Sequence, residues 1–178
     1  IARDKKFLSE AYQSGNRFYE YWRKNRDEDK DGLCEWGAHA VLESVRDGKV
    51  AIWDQVGWPS EFEALDLNCM LVQEANSLAA MAQELGFSQE AGRWKKDAED
   101  RKEKINAFMW DENSGFCYNV DKKNHTLSFK KDQDLKRQEI IGFLPLWAKI
   151  ADSRQAALLI KTLTDTSKFW RKFGVPTL

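Results

Sequence analysis

Between Glu35 and Asn68 the chain reads EWGAHAVLESVRDGKVAIWDQVGWPSEFEALDLN. Seven carboxylates fall in this stretch (Glu35, Glu43, Asp47, Asp54, Glu61, Glu63 and Asp66), together with three tryptophans (Trp36, Trp53, Trp58) and one of the two histidines, His39. Paired carboxyl groups suit the cleavage of a glycosidic bond, where one protonates the leaving oxygen and the other assists the incoming group. The acid of such a pair needs a raised pKa, which burial or a neighbouring like charge supplies. The indole faces of Trp36, Trp53 and Trp58 offer flat apolar surface to a sugar ring, and Arg46, Asp54, Gln55 and Asn68 offer hydrogen bonds to its hydroxyls. The stretch far exceeds the roughly 4–6 residues of an ordinary connection, and loops on a rigid scaffold are where binding residues gather. A surface loop whose tryptophans fill a satellite core would have the same composition. No Gly-rich phosphate loop, HExxH or GxSxG competes with the sugar reading.

Just upstream, Asp27, Asp29 and Asp31 followed by Gly32 match the opening of a calcium loop, in which alternate carboxylates converge on one cation and the glycine permits the sharp turn. The twelfth position, normally a bidentate glutamate, is Ala38. A carboxylate from elsewhere, with Glu74 a candidate, would have to complete the shell. A solvated helix exit has the same composition.

These residues need a scaffold, and the hydrophobic spacing describes one. Phe7, Ala11, Phe18 and Trp22 mark one face of a helix ending near Lys24. Asp66 is a candidate N-cap for a second helix, with Leu67, Met70, Leu71, Ala75, Leu78, Ala82 and Leu85 as its buried stripe and Gly86 as C-cap. Ser88 caps a third, carrying Ala91, Trp94, Ala98, Ile105 and Phe108; Trp94, Met81 and Met109 read as packing. Asp111 to Val120 is a turn at Gly115 with a short extended segment through Phe116 and Tyr118. Lys122 to Arg137 reads as a solvated connection with His125 on its surface. Ile140, Leu144, Trp147 and Ala151 describe a fourth helix that Pro145 kinks or splits. Ser153 opens a fifth, with Ala156, Ala157, Ile160 and Leu163. The pattern is all-α, helical hairpins with long loops on one side, and shows no fixed-period repeat.

The 178 residues are enough for one sizeable core. With 28 Lys plus Arg against 29 Asp plus Glu, the formal charge of −1 suggests no electrostatic grip on nucleic acid or anionic membrane. No apolar run approaches the roughly 20 residues of a membrane span. Three cysteines lie far apart without a CxxC pair, which favours reduced, buried thiols. The chain begins at Ile1 and stops at GVPTL, so the expectation is a piece of a longer protein, and localisation is not legible.

The ordered segments DGLCEWG, ESVRD, ALDLN, FMWDENSGFCY, GFLPLWAKIA and FGVPTL resemble glycoside hydrolase family 63 and the trehalase-like enzymes, nearest in pattern to bacterial α-glucosidase and mannosylglycerate hydrolase-like members. The resemblance runs from about Phe18 to Leu178. It implies part of an (α/α)6 toroid, one catalytic domain of which residues 1–178 are a fragment, and inverting hydrolysis of an α-linked glucoside or mannoside. The family's E-S-G-x-D segment falls on Glu43, Ser44, Val45, Arg46 and Asp47, which makes Asp47 the implied general acid; Val45 stands where glycine is usual.

Trp36, Glu43, Arg46, Trp53, Asp54, Gln55, Trp58, Asp66 and Asn68 are the implied sugar-contacting set, while Arg46-Asp47-Gly48-Lys49 alone would also read as an ordinary turn. Calcium near the Asp27, Asp29, Asp31 loop occurs in some relatives, and no cofactor is required for the chemistry. The implied general base has no counterpart among these residues, so the fragment alone is expected to be inactive. Two other classes stay open: a helical carbohydrate-binding or scaffold protein that has lost the chemistry, and a helical protein-interaction domain whose tryptophans are all core.

Overall fold

The computed structural model of the chain describes residues 4–36, 61–129, 133–134, 136 and 138–176. Helix α1 spans Lys5–Asn25 and is capped by Asp4, whose Oδ1 accepts the backbone N–H groups of Lys6 at 3.0 Å and Phe7 at 3.1 Å. Its buried face is not the expected one. Tyr12 and Tyr19 are buried, whereas Phe7 and Phe18 are 67% and 56% exposed. The fully buried positions lie one residue on from Ala11 and Phe18, a rotation of about 100°, while Trp22 of the expected stripe still packs against the core. The tyrosines win the interior because their hydroxyls find partners across the interface, Tyr12 donating to Glu90 at 3.2 Å and Tyr19 donating to Asp97.

Helices α2 (Leu65–Leu85) and α3 (Ser88–Lys104) form the central hairpin. Gly86 ends α2 in the left-handed conformation at φ 83°, and Phe87 N–H returns to Ala82 O at 2.8 Å. Leu67, Leu71, Ala75, Leu78 and Ala82 are buried as expected, but Met70 is 46% exposed. The N-cap of α2 is Ala64, two residues before Asp66. Ala64 has no side chain to cap with, and Asn119 Oδ1 accepts the Leu65 N–H at 2.8 Å instead. Trp94 and Met109 are buried core, and Phe87, not Ser88, caps α3. Glu74 lies against Gly15 of α1, where an added Cβ would come within 2.9 Å of its Oε1.

After a π turn at Ile105–Met109, β2 (Trp110–Asp111) pairs antiparallel with β3 (Phe116–Cys117) around Gly115, at φ 63°. An earlier strand, β1 (Phe62–Glu63), pairs with β4 (Val120–Asp121), with Phe62 opposite Asp121 and Glu63 opposite Val120. A third ribbon joins β5 (Ser128–Phe129) to β6 (Gln133–Asp134). Pro145 splits the next helix: a 3-10 turn at Ile140–Phe143 leads into the short α4 (Leu144–Trp147), with the proline at its start, where its missing N–H costs nothing. Helix α5 (Ser153–Leu163) is capped by Asp152, not Ser153, through a reciprocal box with Gln155 at 2.7 and 2.9 Å. Ile160 and Trp147, expected on buried faces, are 50% and 56% exposed.

Two clusters make the core. One centres on Phe116 with Leu65, Ile105, Met109, Phe143 and Phe169; the other joins Tyr12, Tyr19, Trp36, Leu71, Leu78 and Trp94. All three cysteines are free and buried, in line with the expected reduced thiols. Among the described residues no helix is long and apolar enough to cross a membrane. Phe7, Phe18 and Tyr21 leave an apolar face of α1 open to solvent. The 178-residue chain expressed by itself is therefore expected to self-associate. Light scattering should show a mass rising with concentration, and replacing the three rings by Ser should restore a monomer; a wild-type fragment that stays monomeric would contradict this.

Candidate functional site

The C-terminal ends of α1 and α3 and the N-terminal end of α2 converge, and the site residues within the described segments gather there. The Asp27–Gly32 loop leaves α1 in a tight turn, with Lys30 at φ 62° and Gly32 at φ 92°. Its aspartates first satisfy its own backbone: Gly32 N–H donates to Asp27 Oδ1 at 3.3 Å, Asp31 N–H to Asp29 Oδ1 at 3.3 Å, and Leu33 N–H to Asp31 Oδ1 at 2.7 Å. Glu35 N–H then bonds to Arg26 O at 2.8 Å, and Glu35 pairs with Glu63 of β1 in an antiparallel bridge.

That bridge brings in the carboxylate the loop lacks. Glu63 is fully buried, and neither of its oxygens has a hydrogen-bond partner among the described residues. Ligand atoms of Asp29, Asp31, Glu63 and His125 all lie within 4.8 Å of one another. Burial pushes the Glu63 carboxyl up to about 9, and the negative charges of Glu35, Asp31, Asp29 and Asp27 add to the effect. Glu74 is placed against α1, away from this group, and the carboxylate that lies with Asp29 and Asp31 is that of Glu63. His125 is not a surface residue. It is half-buried, stacked on Phe108 with centroids 4.2 Å apart, and its Nε2 sits 2.7 Å from Asp31 Oδ2.

Behind the loop, Asn68 binds the chain to α2. Its Nδ2 donates to Cys34 O at 2.9 Å and Ala64 O at 2.8 Å, while its Oδ1 accepts from Cys34 N–H at 2.9 Å and Arg101 Nη1 at 2.6 Å. Two donors and two lone pairs are the whole capacity of the amide. Asn68 thus fixes the backbone that leads into Trp36. The Trp36 indole is 7% exposed, donates to Asp66 Oδ1 at 2.9 Å, and stands edge-on to Trp22 at 5.3 Å. Burial raises the Asp66 carboxyl, opposed by the bonds from Trp36 and the Leu67 N–H. Of the sequence-derived set, the structure brings Trp36, Asp66 and Asn68 together. Glu43, Arg46, Asp47, Trp53, Asp54, Gln55 and Trp58 lie outside the described residues. A cleft of about 480 Å³ beside the loop is walled by charged side chains, among them Lys24, Lys30, Asp97 and Lys104. That lining lacks the aromatic faces a sugar needs.

Among the described residues, the helical hairpin of α2 and α3 packs with α1, and Trp36, Asp66 and the Asp27–Gly32 loop gather where the ends of these helices meet. The model of the mannosylglycerate hydrolase MGH1-like glycoside hydrolase domain matches residues 1–178, and the chain belongs to that family.

Human trehalase is 26% identical over 165 residues, covering 83% of this chain and 27% of the human one. A solved glycoside hydrolase family 63 mannosylglycerate hydrolase from Thermus thermophilus, in complex with glucose, superposes with a TM-score of 0.64 at 19% identity, covering 90% of this chain and 45% of that one. A structure described as a sialidase reaches a TM-score of 0.75 at 19% identity, over 97% of this chain and 14% of the other. At these identities the superpositions speak for the fold alone, and they bear out the expected (α/α)6 architecture. The chain spans about a quarter of the first two curated relatives it matches, 22% and 27% of their lengths.

Proposed function

We propose that this domain hydrolyses an α-linked glucoside or mannoside with inversion, Asp47 protonating the leaving oxygen. The observation that carries the reading is the match of the entire chain to a glycoside hydrolase domain. The description of that family as mannosylglycerate hydrolase MGH1-like supports a mannose- or glucose-type substrate. In this mechanism a base from outside these residues activates water on the opposite face of the sugar, about 6.5–9.5 Å from the acid. Trp36 and Asp66, nearly buried and bonded to each other, support the sugar-binding stretch from beneath, and Asn68 holds the backbone that leads into it. Incubation of the full-length protein with α-glucosides and α-mannosides, followed by NMR, should show first release of the β-anomer. First release of the α-anomer would instead mean a retaining double displacement. If no sugar is cleaved but tryptophan fluorescence responds to sugars, the fold has become a binding module.

A hard divalent cation of the calcium class is proposed at the Asp loop. Oxygen donors dominate the set, and the two unpartnered oxygens of buried Glu63 are the observation that favours it. Asp29, Asp31 and Glu63 would hold the ion, Asp27 would brace the loop through Gly32, and His125 would brace Asp31. The ion's contribution is structural, offsetting the converging negative charge. Calcium at a hundredfold excess over its Kd should stabilise the fold by about 2.7 kcal/mol. Thermal unfolding with calcium and with chelator measures this, and Glu63→Ala should abolish the difference. A wild-type midpoint indifferent to both additions would refute the site.

A further inference from the structure

The ribbon that carries Glu63 brings a permanent positive charge to the same acids. Lys122 follows β4 directly, and its backbone N–H donates to Glu61 O at 3.1 Å, which fixes its place at the rim of the cluster. Its Nζ lies 2.8 Å from Glu28 Oε2 and 3.4 Å from Glu35 Oε1, with the side chain 16% exposed. Glu35 is itself 2% exposed, bridged to Glu63 through the backbone, and its Oε2 has no hydrogen-bond partner among the described residues. Asp27, Asp29, Asp31, Glu35 and Glu63 therefore converge, and one ammonium neutralises part of their charge. Lys104, approaching Gly32 from α3, is another ammonium near the loop, as are Lys24 and Lys30.

We propose that Lys122 is an internal counter-ion that sets the cation affinity of the Asp29, Asp31 and Glu63 site by neutralising Glu35. The inference rests on the cation reading above. The affinity of an oxygen site follows the charge of its surroundings, and two cations a few ångströms apart in a partly buried setting repel strongly. While Lys122 is present, Glu35 is engaged and the incoming ion meets a like charge. Without Lys122, Glu35 is a buried carboxylate with no counter-ion, and the divalent ion becomes its nearest source of positive charge. Cation binding and folding should then be more tightly linked.

The test is calorimetric titration of the full-length protein, freed of metal by chelator, with calcium chloride. Wild type is compared with Lys122→Gln, Lys122→Arg and Lys104→Gln. Lys122→Gln should bind about tenfold more tightly or better, and its thermal midpoint should rise more on calcium addition than that of wild type. Lys122→Arg, which keeps the charge, should stay near wild type, and Lys104→Gln should change affinity less than Lys122→Gln. If wild type binds calcium and folded Lys122→Gln binds equally or more weakly, the counter-ion role is overturned while the cation site stands. If neither binds, the cation reading itself fails, and this inference with it. Should Lys122→Gln not fold, Lys122→Met keeps the aliphatic stem and is read by the same titration.

Discussion

Asp47→Asn in the complete protein is expected to lower kcat/KM about 10²–10⁴-fold, the usual contribution of a positioned general acid. Asparagine keeps the size of the side chain and cannot deliver a proton to the leaving oxygen, so binding should persist while turnover falls. Substrates with good leaving groups, which need little protonation, should lose less; that contrast separates lost acid catalysis from a disturbed pocket. Val45 stands where the family pattern has glycine, so Val45→Gly in the same protein is an informative companion. Turnover indifferent to Asp47→Asn, in a wild type that does cleave, would assign the acid role to another carboxylate of the stretch.

The second large effect is expected in the core. Phe116 is fully buried, with Phe143 edge-on at 5.1 Å, Tyr118 at 5.3 Å and Phe169 stacked at 6.3 Å. The 3-10 turn at Ile140–Phe143 approaches so closely that a Cβ on Gly142 would fall 2.0 and 2.3 Å from Phe116 ring atoms and 2.9 Å from Cys117 O. Phe116→Ala should therefore cost about 3–5 kcal/mol, from lost transfer energy plus a cavity. Gly142→Ala should cost about 1–3 kcal/mol through overpacking. Because the two share one contact, the double variant should be less destabilised than the sum of the singles. Urea unfolding followed by tryptophan fluorescence measures all three. Strict additivity would show that the turn relaxes away from the ring.

The local pieces were legible from the residues. Gly86 stops α2 because only a left-handed residue ends the helix there, and Pro145 splits the following helix for want of an N–H. The Asp27–Gly32 turn was visible because its hydrogen bonds join residues no more than five apart, as between Gly32 and Asp27. The six ordered segments carried the family, and with it the toroid.

What sequence could not reach was orientation and long-range convergence. On α1 the spacing of Phe7, Ala11, Phe18 and Trp22 is helical, and so is that of Leu8, Tyr12 and Tyr19 one residue later. Only the partners on α3 decide which face is buried, because a periodic stripe fixes that a face exists and not what meets it. The N-cap of α2 moved for the same reason, since its partner Asn119 arrives 54 residues downstream. Glu63 joins the Asp loop through its bridge to Glu35, and His125 through the pairing of β1 with β4, contacts between backbones that no spacing of side chains announces. By itself the sequence determined the helices, the stops at Gly86 and Pro145, and the family. The tertiary structure decided which acids share a site and which lysine faces them, since charges interact through space and not along the chain.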